Sequence, residues 1–368
     1  MTTKNDGLFS AAGLPLLIGS VPLGSHRDAL EWIMKATPEI PLWPQLPSNP
    51  LERMMPQFSE GIPCIREENP GEDAGRIFYD TSWAGFEEDM LAFYEDYLAA
   101  EENPGFMDES RFAVSRERAA GLYLLGEELP GFPDLHAVKG QVTGPFTMLT
   151  GIKDKEGRAG YYNETVCDMV VKGIRMKAAW QTRFLGRRCN RRVIMFIDEP
   201  ALAGLGSSAF IGVDTDELRR QINEVAEGIQ QAGGLAGIHV CANTDWSLLL
   251  GSKIDVLSFD AYGYFDRLAP LSEELDAYLG RGSILAWGGV PTSKVEDIAG
   301  ESTESLVALW ERQMKSLVKG DRDIGSLLKS CFITPSCGTG SLPEHSARKV
   351  LDLTRAVSLE LRARYLTD

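Results

Sequence analysis

Val193-Ile194-Met195-Phe196-Ile197 is an unbroken apolar run, and Asp198-Glu199-Pro200-Ala201 follows it at once. Five apolar residues without alternation suit a strand covered on both faces, as in a parallel sheet. Runs of the same kind recur on either side. Upstream stand Leu16-Leu17-Ile18-Gly19-Ser20, Ile40-Pro41-Leu42-Trp43 and Ala137-Val138-Lys139-Gly140-Gln141-Val142. Downstream stand Ala236-Gly237-Ile238-His239-Val240, Val256-Leu257-Ser258-Phe259, Ile284-Leu285-Ala286-Trp287 and Cys331-Phe332-Ile333. Residues 27–36, 86–99, 110–126, 162–185, 215–231, 271–279, 304–318 and 344–365 place apolar side chains three or four apart, the spacing of amphipathic helices. Asp214 and Ser341 are candidate helix caps, and Gly233-Gly234 a candidate stop. Strands alternating with helices predict an α/β fold, a (β/α)8 TIM barrel, with an open doubly wound sheet as the alternative.

Roughly ninety residues separate the second and third strands, far more than the 2–6 of an ordinary βα loop. We expect one barrel domain over residues 1–368, with residues 47–135 as an insertion over the barrel face. Its Pro-, Gly-, Glu- and Met-rich part, residues 47–82, carries Phe58, Ile62, Ile65, Phe78 and Tyr79 for burial.

The chain has 368 residues, with 37 Lys and Arg against 53 Asp and Glu, a formal charge of −16. That balance repels phosphate backbones and excludes a nucleic-acid partner. Hydrophobic residues at 43% and charged residues at 24% exclude global disorder. Six scattered cysteines make no disulfide framework, so a reducing, cytoplasmic location is expected. No run approaches the roughly 18 apolar residues of a membrane span, and the N-terminal apolar stretch is broken by Gly13 and Pro15, so a soluble chain with no membrane partner is expected.

A barrel of this type carries its chemistry at the C-terminal ends of its strands. The fifth strand ends in His239-Val240-Cys241, and alternation puts His239 and Cys241 on one face. The sixth ends in Ser258-Phe259-Asp260, and the eighth runs into Thr334-Pro335-Ser336-Cys337-Gly338. His239, Cys241, Cys337 and the carboxylate of Asp260 are a candidate ligand set for Zn2+. Two thiolates make a soft site that suits a third sulfur from a substrate, whose proton the metal would help remove. Transfer of a group to a thiol is the natural use.

Other residues have plainer expectations. Cys331 belongs to the core, Cys64, Cys167 and Cys189 are structural, and His26, His136 and His345 are hydrogen-bonded or solvated. Asp198 is a candidate partner for a substrate amine, with helix capping as the alternative, and Glu199 stands beside it. The small-residue turn Ile18-Gly19-Ser20 lets backbone N–H groups approach a substrate carboxylate.

Together, Ile18-Gly19-Ser20, Val142-Thr143-Gly144-Pro145, Ile197-Asp198-Glu199-Pro200-Ala201-Leu202, His239-Val240-Cys241 and Pro335-Ser336-Cys337-Gly338 resemble the catalytic barrel of the cobalamin-independent methionine synthase family, in the superfamily that includes uroporphyrinogen decarboxylase and corrinoid methyltransferases. The motifs keep the family's order from about residue 14 onward. The resemblance implies zinc on His239, Cys241 and Cys337, with Asp260 where the synthases carry a glutamate. It also implies that Asp198 holds the homocysteine amine and Ser20 its carboxylate, while a second acid corresponds to Glu52 or Glu60.

Two departures bear on the methyl donor. The full synthases add an N-terminal barrel that helps bind folate, and these 368 residues hold the length of one barrel. They also carry a histidine after the seventh strand, where this chain reads Trp287-Gly288-Gly289-Val290-Pro291-Thr292-Ser293. A methylfolate needs a placed acid for its leaving amine, whereas a methylcorrinoid does not. The expected donor is therefore methylcobalamin or a protein-bound methylcorrinoid, and the expected acceptor a small thiol such as homocysteine, giving methionine. A corrinoid protein is a possible partner. Coenzyme M or tetrahydrofolate as acceptor, a uroporphyrinogen decarboxylase-like reaction and a non-enzymatic binding role stand as alternatives.

Overall fold

The computed structural model describes residues 9–207, 210–318 and 322–366. The chain forms helix α1 (His26–Ala36), a short helix α2 (Met54–Ser59), an antiparallel hairpin of β1 (Ile65–Glu68) and β2 (Arg76–Tyr79), and helices α3 (Phe86–Glu102) and α4 (Ala120–Glu128). Strands and helices alternate from there: β3 (Ala137–Thr143), α5 (Pro145–Gly151), α6 (Glu164–Cys189), β4 (Arg192–Asp198), α7 (Thr215–Gln231), β5 (Leu235–Val240) and α8 (Trp246–Leu250). Next come β6 (Val256–Phe259), α9 (Ala261–Leu268), α10 (Ser272–Gly280), β7 (Ile284–Val290), α11 (Val295–Gly300), α12 (Thr303–Lys315), α13 (Ile324–Lys329), β8 (Cys331–Pro335) and α14 (Glu344–Tyr365).

Strands β3 to β8 make one parallel sheet in sequence order. Its inner face is lined by Leu14, Leu16, Ile40, Ala137, Ile194, Phe196, Val256, Ile284, Ala286 and Phe332, a core separate from the larger one between sheet and helices. The two outer strands are approached by irregular segments. Pro15 bridges Ile333 of β8, Leu42 bridges Lys139 of β3, and Ser20 bridges Gln45, all in parallel sense. The sheet thus curls, and residues 14–20 and 40–45 meet its outer strands only through these bridges.

Residues 16–20 and 40–43 are strands by their sequence, and among the described residues these segments form isolated bridges only. Pro15, Pro22, Pro41 and Pro44 explain the difference, because a proline removes the N–H that a continuous ladder requires. A second correction falls on residues 110–126, where the helix starts at Ala120. Ser110 Oγ accepts from Phe112 N at 3.2 Å and Glu60 Oε2 from Ser115 N at 3.0 Å, so side chains take backbone donors that a helix would use. Asp214 caps α7 as its sequence suggests, whereas Pro343 precedes α14 without a side-chain cap from Ser341. Gly233 takes the left-handed backbone, φ +88°, that ends α7.

The residues between α1 and β3 pack into the main core through Phe58, Ile62, Phe93, Phe112 and Leu122. Thr143, at the C-terminal end of β3, donates to Met54 O at 2.8 Å, which places α2 against that end of the sheet. No helix among the described residues is long and apolar enough to cross a membrane.

Candidate metal centre and substrate site

The strand register sets the site. Thr143, Asp198, His239 and Ser258 stand opposite one another across β3, β4, β5 and β6, so their side chains share the inner face. His239 is buried, and its Nδ1 lies 2.9 Å from Ser258 Oγ. With the proton on Nδ1 and donated to that hydroxyl, Nε2 keeps its lone pair. Nε2 is buried and has no hydrogen-bond partner. Burial pushes the imidazole down to about 3, with the Lys139 charge adding to the effect, so the ring is neutral, the form that binds metals.

One ligand atom from each of His239, Cys241 and Cys337 lies within 4.8 Å of the other two. Cys241 follows β5 and Cys337 follows β8, so the cluster joins distant strands. The two thiols are hydrogen-bonded to each other, which moves Cys241 below its ordinary range and Cys337 above it. Burial pushes Cys64 and Cys331 each up to about 12, and both lie outside the His239–Cys241–Cys337 cluster. All six cysteines are free. An orphaned imidazole nitrogen held in place by a hydroxyl, beside two sulfurs, fits a soft divalent metal such as zinc.

Asp260 does not join that group. It caps α9, with Oδ1 accepting from Gly263 N at 2.8 Å, and burial raises its carboxyl to about 6. Asp198 is near enough to be felt by both thiols, and its Oδ1 is buried without a partner. Burial raises the Asp198 carboxyl to about 6, against the opposing charge of Lys139.

The turn at Ile18-Gly19-Ser20 lies against the Cys337 loop. Thr339 N donates to Ser20 O at 2.9 Å and Gly340 N to Ser20 Oγ at 3.3 Å. A Cβ on Gly338 would fall 2.2 Å from Ser20 Oγ, so a larger residue there would have to turn that hydroxyl away. The Ile18 carbonyl is turned to Lys139 Nζ, 2.5 Å away.

Glu199 was expected at the substrate and is corrected here. It has no exposed surface, and its carboxylate is taken up by the start of α5: Oε1 accepts from Phe146 N at 2.9 Å, and Oε2 from Thr147 N at 2.8 Å and Thr147 Oγ1 at 2.6 Å. An acid at a helix N-terminus satisfies donors that have no intrahelical partner. Burial outweighs these bonds and raises the carboxyl to about 7, against an ordinary 4.5. The folded state therefore holds this proton more tightly, so its contribution to stability is present below pH 4.5 and lost as pH rises through about 7. Glu199→Gln places an amide nitrogen against N–H donors and is expected to cost about 1–3 kcal/mol. It also reduces the loss of stability between pH 5 and 7.5; urea denaturation at both values measures the two effects, and an unchanged pH slope would remove Glu199 as its source.

Lys139, Gln141 and Ser258 are site residues that motif reading passed over. The signal was present, since Lys139 and Gln141 interrupt an apolar run at period two, which marks a polar inner face. A groove of about 520 Å3 lies elsewhere, among Tyr97, Arg175, Arg219 and Glu224 on outer helices. Its cations are already paired, as in Arg175 with Glu101 and Lys253 with Glu227.

No family model and no curated protein matches the chain. Among solved structures, it is similar to a B12-independent methionine synthase from Shewanella sp. W3-18-1 in complex with selenomethionine, at 19% identity and a TM-score of 0.44, covering 66% of this chain and 67% of that one. A Listeria monocytogenes protein assigned as a vitamin-B12-independent methionine synthase matches at 18% identity and a TM-score of 0.44, covering 66% and 70%. Likenesses of this degree assign neither family nor activity.

Proposed function

We propose that the protein is a zinc-dependent methyltransferase that moves a methyl group from a methylcorrinoid to a small thiol such as homocysteine. The observation that carries this reading is the convergence of His239, whose Nε2 is left without a partner, with Cys241 and Cys337, near the open oxygen of Asp198. His239, Cys241 and Cys337 would hold the zinc, and Asp260 stands one strand away as a further acid. A zinc ion held there would lower the pKa of a substrate thiol, favouring the nucleophilic thiolate. Ser258 holds the imidazole in the metal-binding tautomer. Asp198 receives the substrate amine, and the backbone at Gly19 and Ser20 receives its carboxylate.

We read residues 14–20 and 40–45 as the first two staves of a closed (β/α)8 barrel, completed by the bridges at Pro15, Ser20 and Leu42, and residues 47–135 as its insertion. A corrinoid protein is the partner this reading suggests, and a cytoplasmic location suits the reduced thiols.

Asp198→Asn tests the assignment. It is expected to weaken homocysteine relative to 4-mercaptobutyrate, which lacks the amine, by about 1.5–3 kcal/mol, the contribution of a charged hydrogen bond. An equal loss for the two thiols would move Asp198 out of substrate binding.

A further inference from the structure

Lys139 carries a charge where the fold offers it little. It has no exposed surface, and both hydrogen bonds of its ammonium go to neutral oxygens, Ile18 O at 2.5 Å and Gln141 Oε1 at 3.3 Å. The ring of Phe196 lies 4.7 Å from Nζ. Burying an ammonium costs several kcal/mol, and a methionine would fill similar space without that cost. Lys139 and Asp198 nonetheless act on one another, each opposing the effect of burial on the other.

The bond to Ile18 also has a specific consequence. Residues 14–20 lack a continuous ladder, so the carbonyl at the base of the Gly19-Ser20 turn depends on this side chain for its donor. The acceptor Gln141 is itself fixed: its Nε2 donates to Trp43 O at 3.2 Å, while Gln181 Oε1 accepts from Gln141 N at 3.1 Å and from Trp43 Nε1 at 2.8 Å. The ammonium is thus held at a defined point between the turn and β4.

We propose that Lys139 is a positioning residue for the amino-acid end of the substrate, tying the Ile18–Gly19–Ser20 turn to β3 and setting a positive charge near the Asp198 carboxylate. This rests on the reading of the site as one for an amino-acid thiol. The hydrogen bonds of Lys139 go to Ile18 and Gln141 and not to His239, Cys241 or Cys337, and it reaches His239 through its charge alone, so its larger effect is expected on recognition of the amine and carboxylate.

The experiment compares zinc-loaded wild type and Lys139→Met, with methylcobalamin as donor and homocysteine or 1-propanethiol, which lacks both polar groups, as acceptor. Lys139→Met is expected to raise KM for homocysteine at least tenfold more than KM for 1-propanethiol, with zinc content maintained. Calorimetric binding of homocysteine falls in parallel. No change in homocysteine affinity, or the same proportional loss for both thiols, overturns the proposal. If Lys139→Met loses its cooperative melt, Gln141→Leu decides: a loss confined to homocysteine supports the role, and none or an equal loss overturns it. Wild type that binds no zinc or methylates neither thiol instead defeats the underlying functional reading, and the proposal with it.

Discussion

Protein purified in the presence of zinc is expected to hold about one zinc ion per chain, and Cys337→Ala to lose it while Cys331→Ala retains it. The two cysteines are six residues apart in sequence, and only Cys337 belongs to the ligand cluster. Cys331 is buried within β8, and its loss costs packing only. Cys337 lies beyond the end of the strand, within 4.8 Å of ligand atoms from His239 and Cys241. His239→Ala should behave as Cys337→Ala does. Ser258→Ala should keep the three ligands but release the imidazole orientation, weakening metal about 10–100-fold, the usual effect of removing a partner that orients a ligand. Elemental analysis, with a chelator competition for Ser258→Ala, measures all four variants. Equal zinc in Cys337→Ala and Cys331→Ala would end the metal assignment.

The second large effect concerns the donor. Methylcobalamin should support methyl transfer to homocysteine, while methyltetrahydrofolate alone should be slower by at least the roughly 10²–10⁴-fold that a placed general acid supplies. At the end of β7 the chain presents Gly288, Gly289, Val290, Pro291, Thr292 and Ser293, none of which is an acid at neutral pH. Thr292 is also occupied, with its backbone N–H and hydroxyl 3.1 and 2.9 Å from Ser336 Oγ. The carboxyls whose charge is felt at Cys241 are Asp198, read as the amine partner, and Asp260, which caps α9. Efficient turnover with methyltetrahydrofolate as sole donor would hand the proton to one of these two and overturn the donor assignment, while leaving the zinc site intact.

Much of this molecule follows from local pattern. The helices over residues 215–231 and 344–365 occur at their expected bounds, because one apolar stripe and a polar remainder specify a helix against any apolar surface. The six runs from Ala137 to Pro335 pair as parallel strands because continuous apolar sequence is stable only when covered on both faces. The nearness of His239 and Cys241 was legible from their spacing at the end of β5.

Which partner each polar side chain takes was settled by packing between distant segments. Asp198 and Glu199 are adjacent in sequence, yet one has an oxygen left open near the thiols and the other is consumed by the start of α5, fifty residues upstream. Asp260 has the composition of a ligand and is engaged as a helix cap. Lys139 reads as an interruption in a strand until the turn at Ile18 is placed against it. Backbone periodicity depends on near neighbours, so it is legible in sequence. Hydrogen-bond choice in a buried site depends on which donors and acceptors lie within about 3 Å after the sheet has curled, and that is decided only when segments more than a hundred residues apart, such as residues 18 and 139, come together.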